Sequence, residues 1–186
     1  GFDDSGWRRG AAPLGYGGDG EVTGLSFGPD PANKPLTCYF RRELVIGPGD
    51  DLGESLTGRL QVDDGAAVYI NGRLVWSFLL PVTNITFAMP AVTSSEPEAE
   101  WREFGIAAGW LRPGTNVLAV EVHQCEAKSS DLHFDLEIVR RPHFVEPQPG
   151  ETFDLPVASN VSMRFTWVPR GAIRLGNETG EKWNYF

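Results

Sequence analysis

The chain has 186 residues, 41% of them hydrophobic, and sets 25 Asp and Glu against 16 Lys and Arg, for a net charge of −9 and a pI near 4.8. That balance argues against nucleic acid, since no basic stripe is available to neutralise phosphates, and the apolar content excludes disorder. No apolar run approaches the ~20 residues of a membrane-spanning helix, so no membrane span is expected. In chain order, residues 1–20 (GFDDSGWRRGAAPLGYGGDG) are turn-rich, with Trp7, Leu14 and Tyr16 as anchors and Trp7 expected in the core. Residues 36–46 (LTCYFRRELVI) alternate and predict a strand; after a loop at 47–55, residues 56–62 (LTGRLQV) predict the next. A hairpin follows over 63–76, then an irregular stretch over 77–100. Residues 101–111 (WREFGIAAGWL) are apolar and end at a turn signal. Residues 116–124 (NVLAVEVHQ) are the strongest strand, and 132–139 (LHFDLEIV) set Leu, Phe, Leu and Ile against His, Asp, Glu and Val, as a half-buried strand does. Residues 140–151 are proline-rich and expected as a linker. Residues 152–186 read as a β extension or the start of a further domain, with a short strand at 162–168 and an aromatic tail.

Helical periodicity is almost absent. Many short strands separated by turn signals predict an all-β fold, an antiparallel jelly-roll sandwich of about eight strands. The hairpin can be worked out from its centre. Asn71-Gly72 is the favoured pair for a two-residue type I′ turn, in which both residues take positive φ. The register then sets Ile70 against Arg73, Tyr69 against Leu74, Val68 against Val75 and Ala67 against Trp76. Alternation puts Val68, Ile70 and Val75 on one face and Ala67, Tyr69, Leu74 and Trp76 on the other. One face belongs to the core. The other is either covered by another segment or open as a Tyr69–Trp76 aromatic platform.

No catalytic pattern stands out, and a role other than an enzyme's is expected. Asp63 and Asp64 have the look of paired carboxylates for acid–base work, but adjacent side chains on extended backbone point apart, so a structural turn is expected. Glu121 and His123, two apart on one strand, share a face. With Asp131 or Asp135 they form either a metal or catalytic pair or, the reading adopted, a polar network bracing residues 124–131. The three histidines, His123, His133 and His143, show no HxH or HExxH spacing, and Ser129-Ser130-Asp131 lacks a nucleophile-elbow context. Two cysteines are too few for a disulfide framework; Cys38 and Cys125 are either bridged to each other or two buried thiols. Sequons at Asn84, Asn160 and Asn177 point to a glycosylated protein, secreted or at the cell surface. An exposed Trp can stack on the C–H face of a sugar ring. Trp76 and Trp110 are expected at the surface and Trp7 and Trp167 in the core, which leaves Tyr69, Trp76 and Trp110 as candidate ligand-binding residues.

Five segments, taken in order, carry a family resemblance: FDDSGWRRGAAPLGYG (2–17), YFRREL (39–44), DDGAAVYINGRLV (63–75), NVLAVEVHQ (116–124) and SSDLHFDLEI (129–138). Together they resemble the galactose-binding-domain-like jelly-roll module attached to many secreted enzymes, metallophosphoesterases and carbohydrate-active proteins among them. The resemblance spans residues 2–139 and implies a non-catalytic antiparallel sandwich, often glycan-binding through loops at one end, sometimes with a structural calcium. Asp3 and Asp4, with Asp135 or Glu137 on the last sandwich strand, resemble the region where such modules hold that calcium. Two departures from the family are a missing opening strand ahead of FDDS and a cysteine, Cys38, where an aromatic or small residue is usual. The expectation is an extracellular carbohydrate-binding or accessory module of a larger secreted protein, its partner a glycan or a neighbouring protein domain or chain. Two alternatives stay open: an assembly subunit completed by strand addition from a neighbouring chain, and a non-catalytic fragment of a metallophosphoesterase.

Overall fold

A computed structural model describes residues 3–18, 20–50, 55–95, 100–140, 150, 152–158 and 161–166. The chain divides into two units, Gly1–His143 and Phe144–Phe186. The described part of the first contains β1 (Leu14–Tyr16), β2 (Thr23–Gly24), β3 (Thr37–Ile46), β4 (Ser55–Asp63) and β5 (Gly65–Ile70). It continues with β6 (Arg73–Phe78), β7 (Arg102–Ala107), a single 3-10 turn at Ala108–Trp110, β8 (Gly114–His123) and β9 (Leu132–Arg140). These strands form two sheets, β2-β1-β9-β4-β7 and β3-β8-β5-β6, that pack face to face as an all-β sandwich. Only β1 and β2 pair in parallel; the other pairings are antiparallel. In the second unit β10 (Thr152–Ala158) and β11 (Val161–Thr166) form an antiparallel hairpin. Its register slips between Pro156 and Ala158, where a residue without an N–H interrupts the ladder. No helix among the described residues is long and apolar enough to cross a membrane.

Alternation along the strands builds the core. Leu56, Leu60 and Val62 of β4 and Leu132 and Phe134 of β9 face inward from one sheet; Ala66, Val68 and Ile70 of β5 and Val120 and Val122 of β8 face them from the other. Phe40 stacks on Phe134 across the gap, with ring centroids 4.1 Å apart. Gly58 lies opposite Phe104 in the β4–β7 ladder, and a Cβ there would stand 2.2 Å from that ring. Phe104 cannot simply yield, because it is buried and stacks on Trp76 at 5.1 Å. Gly58→Ala is therefore expected to cost about 1–3 kcal/mol by overpacking, read as a lower urea midpoint; an unchanged midpoint would show that the ring has room to move.

Two sequence expectations need correction here. Trp7 is not core: it is 39% exposed, and its N–H closes a turn onto Asp4 O at 3.0 Å. In the hairpin Ile70 does oppose Arg73 and Tyr69 opposes Leu74, but the register then shifts, so that Val68 opposes Trp76 and Ala66 opposes Phe78. A β-bulge at Val75 absorbs one residue and turns both rings to the inner face, where Trp76 stacks on Phe104 and, at 5.8 Å, on Phe78. Two large rings remove more apolar area from water there than Val75 would in their place.

Candidate functional site

At one end of the sandwich the chain passes from one sheet to the other at Asp64. Asp63 pairs with His133 of β9, and Gly65 pairs with His123 of β8. Both aspartates are buried, Asp63 at 3% and Asp64 at 2% exposure. Asp64 commits both oxygens to backbone: Oδ1 accepts the Ser95 N–H at 3.0 Å and Oδ2 the Cys125 N–H at 2.7 Å. Ser95 Oγ in turn donates to Val62 O at 3.0 Å. One carboxylate thus ties the β6–β7 and β8–β9 connections to the strand crossing, which is the structural role expected of this pair.

Around the crossing lies a cleft of about 390 Å³. Asp63, Asp64, Glu126 and Asp131 give its walls four carboxylates, Ser94, Ser129 and Ser130 add hydroxyls, and Lys128 is the one basic lining residue among those described. Among the described residues no aromatic ring lines it. Lys128 stands 3.5 Å from Glu126, and Ser130 Oγ donates to Asp131 Oδ1 at 2.8 Å. Cys125 also lines the cleft; burial first, and then its hydrogen bond to Asp64, push the thiol up to about 11. At neutral pH it is protonated and a poor nucleophile.

The floor of the cleft is held from behind by Lys34, which is only 7% exposed. Its ammonium donates to Ser129 O and Ser130 O and sits over the rings of Tyr16 and Phe27, at 4.8 and 4.6 Å from their centroids. The Lys34 backbone N–H donates to Ala127 O at 2.8 Å, and Gln124 Nε2 donates to Asp131 O at the same distance. Tyr16 OH is buried without a hydrogen-bond partner. Burial pushes it up to about 12, aided by the negative charge of Cys38, Asp131, Asp63 and Asp64. Lys34 was invisible in the sequence, because a lysine beside Asn and Pro reads as a solvated loop residue.

Glu121 and His123 do form a polar network, on the outer face of the four-stranded sheet. His123 is fully buried and its Nδ1 lies 2.7 Å from Met89 O; a carbonyl only accepts, so Nδ1 carries the hydrogen. Nε2 stands 3.3 Å from Glu121 Oε2, too poorly aligned to count as a hydrogen bond, and Tyr69 OH donates to Glu121 Oε1. Burial, then Glu121, raise the Tyr69 phenol. Thr37 Oγ1 donates to Phe87 O at 2.8 Å, and the Ala91 N–H to Gln124 O at 3.0 Å. The network therefore braces residues 79–95, not residues 124–131 as expected. That segment lies against the Gly65 end of β5, where a Cβ on Gly65 would meet Ala91 and Leu80, while Tyr69 and Leu74 stay half-buried; no Tyr69–Trp76 platform forms, because Trp76 turns to the inner face.

The three ligand-binding candidates are not brought together. Tyr69 lies on the outer face, Trp76 on the inner, and Trp110 beside the hairpin turn, where Arg73 caps its ring at 5.1 Å and Asn71 Nδ2 donates to its carbonyl at 3.1 Å. The calcium candidates are separated too. Asp4 pairs with Arg41 on the face of β3 that carries Tyr39, and Asp3 accepts the Ser5 N–H at 3.0 Å, which holds its carboxyl below the ordinary value. Glu137 pairs with Arg59 at 2.9 Å on the outer face of the other sheet, where Asp135 stands opposite Gln61. Among the described residues no three His, Cys, Asp or Glu are grouped as a metal ion's ligands would be. Cys38 and Cys125 are both free thiols, not bridged to each other, and half-buried rather than buried. Asn84 is exposed, with a φ of 57°. Asn160, Asn177, Trp167 and Trp183 lie outside the described residues.

Compared with known proteins, the chain matches no family model, no curated protein and no solved structure. The fold and the cleft define its class: an all-β sandwich with an acidic, hydroxyl-lined cleft at one end.

Proposed function

We propose that the chain is a non-catalytic β-sandwich module that binds carbohydrate in the end cleft, as an accessory part of a larger extracellular protein. The observation that carries this reading is the cleft itself, in which loops anchored by Asp64 and Lys34 direct carboxylates and serine hydroxyls at one volume. Sugar hydroxyls are recognised by such a mixture of acceptors and donors. Two groups with nucleophilic capacity are otherwise engaged: the Cys125 thiol by Asp64, and His123 beneath residues 79–95. The resemblance to galactose-binding-domain-like modules, which often bind glycans through loops at one end, supports a site built from loops, and the exposed Asn84 sequon supports an extracellular setting. A glycan array followed by calorimetric titration of the 186-residue chain tests it. Micromolar to millimolar binding is expected, weakened at least about tenfold by Asp131→Ala, the loss of one charged hydrogen bond. Saccharide binding untouched by that change would move the site away from the cleft.

A second reading, assembly by strand addition, rests on β3. This ten-residue strand pairs only with β8 among the described residues, and Tyr39 and Val45 are 49% and 68% exposed. An open edge of that length is a template for another strand, although Arg41, Arg42 and Glu43 at its middle work against pairing. Concentration-dependent assembly in sedimentation velocity, abolished by Val45→Lys, would favour it; a monomer at every concentration would end it.

A further inference from the structure

The open edge of β3 is complementary to itself. We propose that the strand it accepts is β3 of a second copy of this chain, antiparallel about a two-fold axis at Arg42, a step that rests on the strand-addition reading. Which backbone groups are open follows from the ladder. The Gln124 N–H donates to Leu36 O at 2.8 Å, in line with the β3–β8 register, so the even-numbered residues of β3 carry the bonds to β8. On the other side of β8 the Asn71 N–H donates to Val117 O at 2.8 Å, which assigns the odd-numbered residues of β8 to β5 and agrees. Bonded and non-bonded pairs alternate in an antiparallel ladder. The N–H and C=O of Tyr39, Arg41, Glu43 and Val45 therefore point away from β8, to the open edge.

The side chains choose the register. Phe40 stacks on Phe134 in the core, so the odd-numbered side chains of β3 stand on the outer face. A two-fold dimer that keeps the outer faces together sets odd residues opposite odd ones. Centred on Arg42, it places Tyr39 against Val45, both exposed and apolar, and Arg41 against Glu43, opposite in charge, and symmetry repeats both pairs. Centred on Arg41, it would set that arginine against itself and Tyr39 against Glu43. Centred on Glu43, it would set that carboxylate against itself and Arg41 against Val45. The charges that work against pairing in general thus select this one register. Arg41 already holds Asp4, but a guanidinium has N–H groups to spare. Arg42 meets its own copy on the axis, and that like-charge contact limits the affinity.

Sedimentation velocity of the full chain is expected to show a dimer that forms with concentration and goes no further, because the two-fold axis uses both edges. Glu43→Arg and Arg41→Glu each set like charges opposite one another and should weaken it about tenfold. An equimolar mixture of these two variants should dimerise again, since every arginine then finds a glutamate. Arg42→Gln removes the repulsion on the axis and should tighten the dimer about threefold, a gain that misfolding cannot imitate. Cross-linking reads the register. Arg42 falls in a non-bonded pair with its own copy, Cα atoms about 4.5 Å apart, within reach of a disulfide. Arg42→Cys should therefore form an intermolecular disulfide in a glutathione buffer, while Glu43→Cys, equally exposed but opposite Arg41, should not. Open-ended assemblies, cross-linking through Glu43→Cys instead, or a mixture that stays monomeric would overturn the inference while keeping strand addition. A wild-type chain that is monomeric at every concentration would end both.

Discussion

Replacing Asp64 with alanine is expected to lower the unfolding free energy of the sandwich by about 4 kcal/mol. The argument starts from what the carboxylate does. It accepts two backbone N–H groups, those of Ser95 and Cys125, from two different connections. Each is a hydrogen bond to a charged group, worth about 1.5–3 kcal/mol, and Ser95 is too deeply buried for water to replace the lost partner. Against a typical total of about 5–15 kcal/mol, one side chain would then carry a large share of the stability. Asp64→Asn keeps one good acceptor but turns an NH₂ towards the other N–H, so about half the loss is expected. Urea unfolding followed by tryptophan fluorescence reads both, as midpoints falling in the order wild type, Asn, Ala. A loss below about 1 kcal/mol for alanine would mean that the two connections are held by other contacts.

Much of the sandwich was legible because its strands alternate. The predicted strands at 36–46, 56–62, 116–124 and 132–139 correspond to β3, β4, β8 and β9, and the Asn71-Gly72 turn sits where its dipeptide places it, with φ of 52° and 80°. Short elements escaped. β1 and β2 owe their pairing to β9 and to each other rather than to any pattern of their own, since two or three residues cannot show a period. The bulge at Val75 escaped for a different reason: alternation is a local rule, and the gain that overrides it comes from Phe104 on the opposite sheet. The cleft was hidden in the same way. Asp64 stands at the turn between β4 and β5 that its sequence context predicts, but its two partners lie 31 and 61 positions away in the chain. The Glu121–His123 pair shows how far spacing reaches. A two-residue separation on a strand placed both side chains on one face, but which segment they brace depends on the path of residues 79–95.

The chemistry of Cys125 offers a test of the cleft that needs no ligand. Its thiol titrates at about 11 in the folded chain against an ordinary 9.0, because burial disfavours the thiolate and Asp64 both accepts its hydrogen and repels its negative form. At pH 8 the thiolate share falls from about a tenth to about a thousandth, so alkylation by iodoacetamide should be about a hundredfold slower in the native chain than in denaturant. The sign for stability follows. A folded-state value above the unfolded one means that the native protein holds the proton more tightly. That contribution is fully present below pH 9 and is lost as the pH rises towards 11. Cys38 should also react slowly, but through burial alone. Asp64→Asn separates the two, since it removes the negative charge beside Cys125 and leaves the surroundings of Cys38 as they are. The expected result, read by mass spectrometry of the alkylated peptides, is faster labelling of Cys125 with Cys38 unchanged. Native Cys125 that labels at the denatured rate would show that its thiol is neither buried nor facing Asp64, and the wall of the cleft would have to be rebuilt without that contact.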